Sequence, residues 1–122
     1  MNTKLVEYLN CSKPMRFNDV LFSYIDKSGC RDAEIYKKVD LDRKLFSKIR
    51  CGNDYIPRKN VVIKLGLALS LDRSDFDKLL KSAGYSLSDS KTDRVISYCL
   101  DNNVYSLIDV NNYLYTFCNT TL

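Results

Sequence analysis

The chain contains no histidine, and its five cysteines (Cys11, Cys30, Cys51, Cys99, Cys118) stand far apart, with no CxxC pair among them. Structural zinc motifs set their ligands in close pairs, so an odd, scattered set fits neither such a site nor a disulfide framework. Reduced, mostly packed thiols are expected, with no metal and no cofactor. The missing histidine also removes the usual general base for a Ser or Cys nucleophile. No catalytic residue is assigned, and no enzymatic activity is expected.

Long apolar runs are absent too. None approaches the length a bilayer requires, and MNTKLVEYLN lacks the charged-then-apolar layout of a signal peptide. No membrane partner and a cytoplasmic location are therefore expected. There is no low-complexity tract and no alternating, strand-length run bounded by hairpin turn signals. With 122 residues, 45% hydrophobic and 28% charged, the chain reads as a single globular domain, and the lack of strand-length alternation makes its expected class all-α. No internal repeat stands out.

What is present begins with apolar spacing. Residues 1–13 are weakly periodic and precede Pro14, which predicts a short helix or a partly disordered arm. Phe17, Val20, Leu21, Tyr24 and Ile25 then mark one face of a helix ending near Ser28-Gly29. Ile35, Tyr36 and Val39 predict a two-turn helix capped by Asp32, and Asp40-Leu41 interrupt it. Asp42 is placed to cap the next helix, whose stripe is Leu45, Phe46 and Ile49 and whose end is Gly52. Residues 53–57 form a loop by composition. Residues 60–71 are apolar almost all round, as in a helix buried at the centre of a bundle. Ser74 with Asp77 resembles a capping box for a helix carrying Phe76, Leu79, Leu80 and Ala83 and stopped by Gly84. Ser88 or Ser90 opens a helix with Val95, Ile96, Cys99 and Leu100, ended by Asn102-Asn103, and the last helix, carrying Val110, Leu114 and Phe117, runs from about Leu107 to Cys118.

Charge is the second positive signal. The whole net charge of +4 falls in residues 31–59, where nine Lys/Arg face five Asp/Glu. Six of those nine, Arg43, Lys44, Lys48, Arg50, Arg58 and Lys59, lie on or just after the helix of residues 42–51. Charge concentrated on one helix suits a polyanionic partner, and a solvated helix face is the plainer alternative.

Two short helices joined by a turn of about three residues form a helix-turn-helix unit. The run from Ala33 to Arg50, AEIYKKVDLDRKLFSKIR, resembles the λ-repressor/Cro-like (XRE) helix-turn-helix family. So do the Pro-containing loop Tyr55-Ile56-Pro57-Arg58, the apolar turn Leu67-Ala68-Leu69-Ser70-Leu71 and the helix after it. The likeness covers about residues 16–84, and residues 35–90 also look like a module appended to some bacterial macro-domain proteins. Tyr36 stands where that family usually has a small residue, Asp40 where it has a turn glycine, and Phe46 where it has an aliphatic, which implies a different interhelical spacing. The resemblance implies a helical bundle of five λ-repressor-like helices plus two C-terminal ones. It divides the chain into an arm (1–15), a helix-turn-helix domain (16–84) and a C-terminal extension (85–122) that joins the same core or forms an interface.

By the family's positions Arg43, Lys44, Ser47 and Lys48 would face base edges, while Arg50, Arg58 and Lys59 would hold phosphates. The implied partner is double-stranded DNA, bound by a homodimeric bacterial or phage transcriptional regulator. The competing expectation is a helical adaptor module, of a defence or signalling system, without DNA affinity. Tyr98, Tyr105, Tyr113 and Tyr115 crowd the last quarter of the chain, either as core and boundary residues or as a protein interface.

Overall fold

Each segment with three-to-four apolar spacing is helical in the computed structural model, which describes residues 3–11, 16–51 and 55–122. Eight helices and no strand occur among those residues: α1 (Thr3–Cys11), α2 (Phe17–Ser28), α3 (Asp32–Lys38), α4 (Arg43–Cys51), α5 (Lys59–Ala68), α6 (Arg73–Ser82), α7 (Lys91–Asp101) and α8 (Leu107–Cys118). The N-terminal arm is thus helical over α1, whose residues 3–10 are all exposed. Gly52, expected to close α4, lies outside the described residues.

One apolar interior serves α2 through α8. α5 supplies its centre, burying Val62, Ile63, Leu65, Gly66, Leu67 and Ala68. Around it lie Leu21 and Ile25 of α2, Ile35 of α3, Phe46 and Ile49 of α4, and Phe76, Leu79 and Leu80 of α6. Ile96, Cys99, Leu100, Leu107, Val110 and Leu114 of α7 and α8 belong to the same cluster, so the C-terminal helices extend this core. α2 and α6 are also tied by a hydrogen bond from the Tyr24 hydroxyl to Asp75, 3.1 Å long. Burial, that bond and the charges of Asp75 and Asp72 push the Tyr24 phenol up to about 12, so it stays protonated and donating.

The helix starts need two corrections. Asp32 does not cap α3: it is that helix's first residue, and the capping position belongs to Arg31, without a side-chain bond. α6 begins at Arg73 rather than after Ser74, because Asp72 is its cap and accepts the Asp75 N–H at 2.8 Å. Of the two serines offered for α7, Ser90 is the cap and accepts the Asp93 N–H at 3.2 Å.

Four helices end in the same way. α3, α5, α6 and α7 are each followed by a left-handed residue: Asp40 (φ 53°), Ser70 (φ 51°), Gly84 (φ 84°) and Asn103 (φ 58°). The next residue's N–H then reaches five residues back, as from Leu41 to Tyr36 (2.9 Å), Leu71 to Gly66 (3.2 Å), Tyr85 to Leu80 (2.9 Å) and Val104 to Cys99 (2.8 Å). These are Schellman ends, which satisfy carbonyls the helix would otherwise leave open. Two of them continue identically: Leu41-Asp42-Arg43 and Leu71-Asp72-Arg73 each place a buried Leu, an Asp and the first helical Arg, with a buried Phe three residues on (Phe46, Phe76). The sequence therefore does hold a short recurrence. It is a corner used once between α3 and α4 and again between α5 and α6.

Candidate functional site

α4 separates its apolar and polar sides cleanly. Phe46 and Ile49 are buried and Leu45 half-buried, while Arg43, Lys44, Ser47 and Lys48, at helical positions i, i+1, i+4 and i+5, are all exposed. The corner fixes which side turns outward, since Leu41 is buried just before it and Asp42 accepts the Lys44 N–H at 3.2 Å. No ion pair occupies Arg43, Lys44 or Lys48 among the described residues. The four side chains expected to face base edges are thus brought together on one open surface.

The three expected phosphate contacts divide. Arg50 is engaged inside the protein: its Nη2 lies 2.6 Å and its Nε 2.9 Å from Asp32 Oδ2. Its guanidinium also sits 4.1 Å from the centroid of the Phe22 ring, so Arg50 stitches α4 to α2 and α3. Lys59 is engaged as well, its Nζ 2.6 Å from Asp93 Oδ2. Only Arg58, exposed at the N-cap of α5, is left without an ion pair among the described residues.

Asp93 is the one charged residue buried among those described, at 4% exposure. Its Oδ2 accepts from Lys59 and from the Ser88 N–H (2.7 Å) and hydroxyl (2.8 Å), locking the start of α5 to α7 and to the segment before it. Burial is the largest influence and opposes ionisation. Against it the Lys59 bond, both Ser88 bonds and the Lys59 charge hold the carboxyl below its ordinary 3.8. A carboxylate lowered in this way stabilises the fold fully above its unfolded pKa, and that contribution is lost as pH falls through the folded one. Asp93→Asn is therefore expected to melt earlier than wild type at neutral pH and to show a shallower decline of melting temperature below about pH 4. Parallel acid limbs for the two proteins would assign the decline to other carboxylates.

One neighbour of the basic face was not foreseen. The Lys48 ammonium lies 4.5 Å from the centroid of the half-buried Tyr55 ring, in the loop preceding α5. That loop is held at its far end, where the buried Pro57 carbonyl accepts the Tyr85 hydroxyl at 2.8 Å. No local sequence signal marks that contact, because it joins positions 28 apart.

Among the described residues no three His, Cys, Asp or Glu side chains gather as metal ligands, and no helix is long and apolar enough to cross a membrane. Cys30, Cys51, Cys99 and Cys118 are free thiols, and burial together with the nearby Asp109 charge pushes the Cys99 thiol up. The outer surface of α4 presents several cationic donors and a hydroxyl, groups suited to hydrogen-bond acceptors that carry negative charge. Comparison with protein-family models, curated proteins and solved structures finds no match to the chain.

Proposed function

We propose that the chain binds double-stranded DNA as a transcriptional regulator would, laying the outer side of α4 in the major groove. The observation that carries this is the exposed set Arg43, Lys44, Ser47 and Lys48, free of acidic partners among the described residues on a helix held by its opposite side. Arg and Lys are suited to the acceptor edges of guanine, and Ser to either kind of base edge. Of the expected phosphate contacts Arg58, exposed at the N-cap of α5, is the one left to meet a phosphate. Arg50 and Lys59 serve by holding the helices that carry these groups, and α4, nine residues long, spans about 13 Å, a length the major groove admits.

Fluorescence anisotropy with labelled duplexes over a range of salt concentrations tests the proposal. Arg43→Ala with Lys44→Ala is expected to weaken binding roughly tenfold or more. Arg58→Ala is expected to lower the slope of log K against log salt by about 1. Unchanged affinity and slope in both variants would sink the assignment. A protein-interaction role without DNA affinity is the second reading, favoured by the large rings of Tyr98 on α7 and Phe117 on α8, which stay exposed.

A further inference from the structure

Most exposed apolar side chains on a small protein mean nothing, because polar groups cannot cover the whole surface. Those between α7 and α8 differ in being gathered. Val95 and Tyr98 of α7 and Tyr113 and Phe117 of α8 line one open groove of about 430 Å³, edged by Lys91 and Arg94. Tyr98 and Phe117 remain 55% and 56% exposed, large areas to leave in water. The Tyr98 and Tyr113 rings meet edge to face with centroids 6.1 Å apart, so much of this surface is already ordered.

Charge on this face is arranged by sign. Lys91 and Arg94 occupy the start of α7, at the Phe117 end of the groove, and no acidic side chain lines it. Asp109 lies in the first turn of α8 and is exposed; Asp109, Tyr113 and Phe117 follow one another at i, i+4 and i+8. Eight residues of helix set Asp109 about 12 Å from Phe117 and from the basic end. None of Lys91, Arg94 or Asp109 is in an ion pair among the described residues.

We propose that this groove is the contact surface of a two-fold homodimer, in which Lys91 and Arg94 of each copy meet Asp109 of the other across a centre of Tyr98, Tyr113 and Phe117. A two-fold axis through the middle of the face brings its positive end onto the partner's negative end, twice over. A second copy carries the matching charges by symmetry, whereas an unrelated partner would need to supply them independently. Aromatic anchors at the centre with charges at the rim is the usual division between binding energy and orientation.

The dimer is measured without nucleic acid, so it stands or fails apart from the DNA proposal. Sedimentation equilibrium of the whole chain is expected to give twice the 14.1 kDa protomer mass. Lys91→Glu with Arg94→Glu sets acids against the partner's Asp109, and Asp109→Lys sets a base against Lys91 and Arg94. Each variant alone is expected to associate on the order of a hundredfold more weakly, with circular dichroism confirming unchanged helicity. An equimolar mixture restores opposite charges at both ends and is expected to recover dimers. A monomeric wild type overturns the proposal, as does a mixture that stays monomeric. Variants that dimerise like wild type overturn it too, placing the contact elsewhere, for instance on the exposed apolar side of α1.

Discussion

Phe46→Ala is expected to lower the unfolding free energy by about 3–5 kcal/mol, the range for deleting a buried aromatic ring. Phe46 is 3% exposed and sits between two other rings, its centroid 5.9 Å from Phe22 and 5.4 Å from Tyr36. Its removal forfeits buried area and two ring contacts, each worth about 0.5–1.5 kcal/mol beyond the area. Phe22 and Tyr36 are only half-buried and can move into the space, which favours the lower end of the range. The consequences continue outward, because Phe22 is the ring on which Arg50 rests. The variant should therefore also loosen the tie from α4 to α2 and α3. Phe46→Leu keeps most of the volume and should lose less than about 1.5 kcal/mol. Urea unfolding of the three proteins separates these outcomes, and a loss below about 1 kcal/mol for the alanine variant would show that α4 does not depend on this ring.

Gly66→Ala is the second large effect, and two opposing terms decide its sign. Alanine is favoured over glycine in a helix interior by about 1 kcal/mol. A Cβ at position 66, however, would stand 2.5 Å from Cε2 and 2.6 Å from Cδ2 of Phe76. Those atoms belong to a ring that is itself 1% exposed, so α5 and α6 must part or the ring must leave its rotamer. Forcing an extra carbon into a filled core costs about 1–3 kcal/mol, occasionally more. With so short an approach the upper part of that range applies, and the net loss should be about 2 kcal/mol. Phe76→Leu in the Gly66→Ala background relieves the collision and should recover part of the loss, a coupling that a double-mutant cycle measures. Equal stability of wild type and Gly66→Ala would mean that the two helices are not locked at this point.

The helices were legible because burial imposes a period on the sequence, and that period is strong in α2, α4 and α6. α5 was legible for the opposite reason, since a helix at the centre has no polar side. α8 runs from Leu107 to Cys118 as its apolar spacing predicts. Caps were less legible, because several Ser and Asp residues near each helix start have the right chemistry and tertiary anchoring chooses among them. Leu71, buried at the α5–α6 corner, starts α6 early enough for Asp72 to cap it. Tyr36 is half-buried and packs its ring against Phe46, with centroids 5.4 Å apart. Asp40 takes the left-handed turn geometry at φ 53°.

The least legible property was which basic side chains are available to a partner. Arg50 meets a carboxylate 18 positions away and Lys59 one 34 positions away. Nothing in a local window marks those pairings, since helix packing alone brings the groups together. A count of positive charge therefore includes two residues, Arg50 and Lys59, whose charges are met inside the protein.

The repeated corner separates what holds α4 in place from what α4 displays. Leu41, Asp42 and Phe46 have counterparts in Leu71, Asp72 and Phe76, yet the outward positions differ: Arg43, Lys44, Ser47 and Lys48 on α4 correspond to Arg73, Ser74, Asp77 and Lys78 on α6. On α6 that side is turned to the protein's own charges, with Arg73 lying 3.7 Å from Asp77 and 3.4 Å from Asp101. One molecule thus shows the same mounting carrying two unlike displays. The four outward residues of α4 can therefore change without touching the buried Leu41 and Phe46 that seat the helix, just as the same seating on α6 carries a different outward set.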